Sequence, residues 1–136
     1  MFRFEAGSGV PIYRQLVEQV RRDVMLGRLR PGDQLPSVNE VVGSLSVNPN
    51  TVVKAFSELE HQGLVVRRQG VGTFVADAPS VTSVPAASRL LASLARWVDR
   101  ATQEGLSPEQ IRMLMEVALD EPEVSPGYRS AAGGAA

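Results

Sequence analysis

The chain has 136 residues and 43% hydrophobic content, enough for one or two small domains of the size that oligomerisation often completes. It has no cysteine and one histidine, His61, which excludes disulfides, thiol nucleophiles, Cys-ligated zinc and His-rich metal sites. Net charge is −1, yet residues 1–76 hold nine Lys/Arg against seven Asp/Glu while residues 77–136 hold five against eight, a basic-to-acidic split that suits a polyanion-facing head.

Residues 1–10 read as an irregular lead-in, with no apolar core of a secretion signal. No apolar run approaches the length of a membrane span, so a soluble cytoplasmic protein without cofactor is expected. Pro11 is placed to open a helix on which Tyr13, Leu16, Val17, Val20 and Val24 recur at three- and four-residue steps, with Gly27 as its cap. Pro31-Gly32 signals a turn. Ser37 and Glu40 form an S-x-x-E capping box, and Val38, Val41, Val42 and Leu45 make one stripe of a short helix ending near Ser46. Asn48 and Pro49 start a third helix with Val52, Ala55, Phe56 and Leu59 facing inward, and Gly63 ends it. Residues 64–68 and 73–76 read as strands around a Gln69–Gly72 turn. Three helices followed by a hairpin is the order of a winged helix-turn-helix domain, expected over residues 1–76.

Residues 77–84 are polar, contain a proline and show no periodicity, and read as a linker. Residues 85–121 then carry two further helices. Pro85 opens the first, and Ser107, Pro108 and Gln110 cap the second. Their broad apolar faces include Leu90, Leu94, Trp97, Val98, Ile111, Leu114 and Met115, more than two helices can cover between them, so a homodimer contact is expected there. If a small-molecule effector binds, the layer around Leu94, Trp97 and Met115 is the place for it. Residues 122–136 have too little apolar bulk to pack and are expected to be a disordered tail. The whole is a mainly α chain with one small β-hairpin.

The third helix presents Asn48, Asn50, Thr51, Val53 and Lys54 at or near its N-terminal end. Side chains of these types can read base edges in a major groove, with Lys54 reaching phosphate or guanine and Val53 a thymine methyl. Arg67, Arg68, Gln69, Gly70 and Thr73 surround the hairpin tip, where two cations can straddle a phosphate backbone and the glycine allows close approach to a minor groove. Ser37 is a cap whose helix end also suits a phosphate. In purely structural terms the same residues would serve as helix caps, a solvated helix face and a surface hairpin kept soluble by arginine. There is no metal-ligand cluster, paired-carboxylate site or phosphate-binding glycine loop, so an enzyme is not expected. The alternative function is a winged-helix protein-interaction module without sequence-specific DNA binding.

The residues ProIleTyrArgGln (11–15), ArgProGly (30–32), LeuProSer (35–37), ValAsnProAsnThrVal (47–52), GluLeuGlu (58–60) and GlyValGlyThrPheVal (70–75) resemble, in order and spacing, the GntR family of bacterial transcription regulators. The short helical segment that follows resembles the YtrA subfamily. The resemblance implies a homodimeric repressor on a palindromic operator, often one that controls genes of an ABC transporter. Its matched positions are Ser37, Asn50, Thr51, Lys54, Gln69, Gly70 and Thr73. At Asn39 and Val53 the family commonly carries arginine, so a fixed charge and a bidentate fork are missing from both places.

Overall fold

The computed structural model describes residues 2–121, and the expected disordered tail at 122–136 lies outside them. Five helices and a two-stranded hairpin follow in the order α1 (Ile12–Met25), α2 (Val38–Leu45), α3 (Pro49–His61), β1 (Val65–Arg68), β2 (Gly72–Val75), α4 (Pro85–Gln103) and α5 (Pro108–Asp120).

Local chemistry accounts for the helix boundaries. The Ser37 hydroxyl accepts the Glu40 amide at 3.1 Å, and the Glu40 carboxylate accepts the Ser37 amide at 3.0 Å. Ser107 and Gln110 close the same reciprocal box on α5. Asn48 Oδ1 accepts from the Asn50 amide at 2.8 Å, ahead of Pro49 in the first turn of α3. At the end of α3 the Gly63 amide bonds Glu60 and the Leu64 amide bonds Leu59, with Gly63 at φ +77°, a Schellman closure that a side chain there would strain. The same pair of bonds ends α1 around Gly27 and α4 around Gly105.

α2 ends differently. Ser46 caps it in the left-handed region at φ 55°, and no other residue but glycine adopts positive φ among the described residues. Ser46→Gly is expected to raise stability by about 0.5–1 kcal/mol, since the strain of a Cβ at this φ outweighs glycine's extra unfolded-state freedom. Urea denaturation checks it, and an unchanged or lower midpoint would mean the Ser46 side chain offsets its own strain.

The described residues divide into two compact units, with the boundary between Arg89 and Leu90. In the first, Leu16, Val17, Val20 and Val24 of α1 enclose a core with Val41 of α2, Val52, Ala55, Phe56 and Leu59 of α3, and Leu64, Val65 and Val75 of the hairpin. The four residues read as the inward stripe of α3 are all buried. The hairpin is antiparallel, pairing Val65 with Val75, Val66 with Phe74, Arg67 with Thr73 and Arg68 with Gly72.

Three features of this unit go beyond the sequence reading. First, the segment after the Pro31-Gly32 turn lies against β2. Gly32 donates to the Val75 carbonyl at 2.9 Å, Val75 to Asp33 at 2.8 Å and Leu35 to Thr73 at 2.8 Å, so the hairpin has a third, very short edge. Second, the irregular lead-in is packed. Phe2 is buried with its ring 6.3 Å from that of Phe56. The side-chain amides of Gln15 and Gln19, one turn apart on α1, exchange hydrogen bonds with the backbone of Glu5 and Arg3 as a neighbouring strand would. Third, residues 77–84 are tied down: Ser80 donates to the Gly63 carbonyl, Val84 to Met25, and Val81 packs on the core.

In the second unit Ala101 and Ile111 are buried, while Trp97, Val98 and Met115 are half-buried. Leu90, Leu94 and Leu114 remain 62%, 43% and 44% exposed in a single chain. Ile111, expected at a subunit contact, is 5% exposed within its own chain and belongs to its internal packing instead.

Candidate nucleic-acid interface

Burial of Val52, Ala55, Phe56 and Leu59 turns the opposite side of α3 outward, and Asn50, Val53 and Ser57 form an exposed strip along it, with Lys54 exposed at its edge. Thr51, in the first turn, is half-buried. Asn48 lies exposed at the end of the strip. Its side-chain oxygen is committed to the cap, which leaves its amide NH2 to reach outward.

Two cations flank the strip. Lys54 Nζ stands 4.1 Å from the ring centroid of Tyr13 on α1, a cation–π contact worth about 0.5–1 kcal/mol at an exposed site. Arg67 reaches from β1 to the other side of α3. Its Nη2 donates to Ser57 Oγ at 3.1 Å and approaches the Val53 carbonyl oxygen at 3.5 Å, while its Nε lies 3.9 Å from Glu60. A ring and two neutral oxygens hold these groups without cancelling their charge. The Glu60 contact is long and half-exposed, and pairs of that kind contribute little.

The two adjacent arginines beside the hairpin tip thus take different partners. Arg67 is drawn to α3, and Arg68 lies over the Phe74 ring at 5.1 Å. At the tip the Val71 amide bonds the Arg68 carbonyl at 2.9 Å across Gln69 and Gly70, with Gly70 at φ +76°. Gln69, Gly70 and Val71 are exposed, Val71 by 63%. Gln34 Nε2 donates to the Val71 carbonyl at 3.3 Å, and a Cβ on Gly72, at φ +147°, would sit 2.5 Å from that nitrogen. Gln34 thus braces the tip from the short third edge. Thr73 is half-buried at the root of the hairpin, paired with Arg67.

Ser37 and Asn39 stand exposed at the start of α2. The Ser37 amide and then its hydroxyl, both bonded to Glu40, hold that carboxyl below its ordinary range. Because the folded state lowers this pKa, the carboxylate contributes stability above the unfolded value, and the contribution is lost as pH falls through the lowered one. Glu40→Gln keeps a box like that of Ser107 and Gln110 without a titrating group. Its acid-unfolding profile below about pH 4.5 should be flatter than the wild type's. Superimposable profiles would contradict this assignment.

Sequence reasoning missed Tyr13, Gln34 and the Ser57–Arg67 contact. Tyr13 fits the buried stripe of α1, and nothing local to either residue connects it to Lys54, 41 positions away. No group of three or more His, Cys, Asp or Glu that could hold a metal occurs among the described residues, and no helix among them is long and apolar enough to cross a membrane.

Three helices, a braced hairpin and an exposed third helix define a winged helix-turn-helix of the DNA-binding class. Residues 12–75 match the family described as "Bacterial regulatory proteins, gntR family". The chain is 35% identical over 123 residues to the uncharacterized HTH-type transcriptional regulator YhcF of Bacillus subtilis, covering 90% of this chain and 91% of that protein. It is 38% identical over 84 residues to the HTH-type transcriptional repressor YtrA of the same organism, a match spanning 62% of this chain and 65% of the repressor. The structure of YtrA from Sulfolobus acidocaldarius, a GntR-family transcription factor, is similar at a TM-score of 0.51 and 28% identity, over 88% of this chain and 97% of that one. The chain belongs to the GntR family of transcriptional regulators and is similar within it to YtrA.

Proposed function

We propose that this protein is a homodimeric repressor that binds a palindromic operator, placing α3 in the major groove and the hairpin tip against the minor groove. The observation that carries the reading is the outward strip of α3, bordered on both sides by cations whose charge the fold leaves available. Asn50 and Thr51 read base edges, with Asn39 at the start of α2 and the Val53 methyls beside them. Lys54 and Arg68 hold phosphates, joined by the capped start of α2 at Ser37 and the amide of Asn48. Gln69 and Gly70 approach the minor groove, and Thr73 shapes the root of the wing. The exposed Leu90, Leu94 and Leu114 support the dimer. The resemblance to the YtrA subfamily extends the proposal to an ABC-transporter operon as the target, tested by whether deleting the gene raises that operon's transcripts.

The direct test is a fluorescence titration against the DNA upstream of the protein's own gene and a scrambled copy. Equal affinity for both would sink specific recognition at that site. Lys54→Ala should weaken binding to both sequences alike and reduce the slope of log affinity against log salt by about one. Asn50→Ala should instead erode discrimination by roughly 1–3 kcal/mol, and a uniform loss would contradict its reading role.

A further inference from the structure

Arg67 belongs to the hairpin by sequence, yet its side chain lies on the recognition helix. It leaves β1 opposite Thr73, one pair short of the tip pair between Arg68 and Gly72. From there it crosses to α3, where one terminal nitrogen takes both the Ser57 hydroxyl and the Val53 carbonyl. Those acceptors are one turn apart on the exposed strip, and their bonds fix the plane of the guanidinium. The other terminal nitrogen, Nη1, makes no hydrogen bond among the described residues and is left for an outside acceptor. Val53 is 42% exposed and carries no charge, so Arg67 adds a cation beside it, a second one to Lys54 on this face.

We infer that Arg67 contacts DNA from the α3 surface rather than from the wing tip, with Ser57 as its positioning residue. The inference rests on the DNA-binding reading above and adds to it the groove and the partner. Arg67 presents its free donors to an acceptor in the major groove beside Val53 and Ser57, either a guanine O6/N7 edge or the phosphate bordering it. Ser57 acts by keeping the fork on the helix. Arg68, over Phe74, remains the cation of the wing.

The test uses the full-length protein and the duplex that the wild type selects from a random double-stranded library, with fluorescence anisotropy as readout. Arg67→Ala should bind that duplex roughly ten- to hundredfold more weakly with an unchanged circular-dichroism melt. Ser57→Ala should show a smaller loss alone and no further loss in the Arg67→Ala background. Val53→Arg, which puts a guanidinium on the same turn from the helix itself, should restore at least tenfold in that background. Arg67→Lys separates the acceptors. Retained binding with discrimination intact indicates phosphate, and lost discrimination against a scrambled duplex indicates the guanine edge. A loss below twofold for Arg67→Ala overturns the inference, as does additivity of Ser57→Ala with it or failure of Val53→Arg to restore binding. A wild type that enriches no duplex at all overturns the DNA-binding reading as well, and that result is distinguishable from the others.

Discussion

Phe56→Ala should cost about 3–5 kcal/mol, the range for truncating a fully buried aromatic side chain that its surroundings cannot replace. The ring is 1% exposed and sits where α1, α3 and the N-terminal arm converge, with Phe2 packed against it. A small domain holds roughly 5–15 kcal/mol in total, so a loss of this size consumes much of the stability of the first unit. DNA binding should fail with it at moderate temperature, because the α3 strip is rigid only while its inner face is held. Far-UV circular dichroism during urea denaturation is the appropriate measurement, since the single tryptophan, Trp97, belongs to the second unit. Val53→Ala, on the outward face of the same helix, should stay within about 0.5 kcal/mol. A Phe56→Ala loss below 1 kcal/mol would show that α3 is anchored elsewhere.

For the proposed homodimer, Leu94→Asp should give a monomer in sedimentation velocity where the wild type sediments as a dimer. Leu90, Leu94 and Leu114 are exposed in one chain, and covering them against a second copy removes apolar area from water at about 25 cal/mol per Å2. A carboxylate there loses its hydration on association without gaining a partner. The consequence for DNA is larger than for either subunit. Two linked half-site contacts gain about 10²- to 10⁴-fold over one through effective concentration, and the monomer forfeits that gain while its affinity for an isolated half-site is unchanged. A Leu94→Asp protein that remains dimeric and binds a full palindrome at wild-type strength would place the subunit contact elsewhere.

Much of this molecule is legible in its residues taken a few at a time. The boxes at Ser37/Glu40 and Ser107/Gln110, the Asn48 cap, and the glycines that close α1, α3 and α4 are bonds formed within a single turn of chain, so spacing reveals them. The α3 stripe of Val52, Ala55, Phe56 and Leu59 is legible for the same reason, since one helical period decides which side faces in. The short edge at Gln34 escaped notice because two or three residues cannot display an alternation. Phe2 escaped because its burial depends on a partner 54 positions later.

The chain's own patterning was thus sufficient for the order of elements, the winged helix-turn-helix and the face of α3 that looks outward, all consequences of backbone periodicity and local hydrogen bonding. The environment of each charge was decided only when the elements packed. Packing of α1 beside α3 put Tyr13 under Lys54, and the register of the hairpin put Arg67 over Ser57 while leaving Arg68 on Phe74. Long side chains take their partners from whatever surface the fold brings within a few ångströms, and that proximity is set by three-dimensional packing over tens of residues.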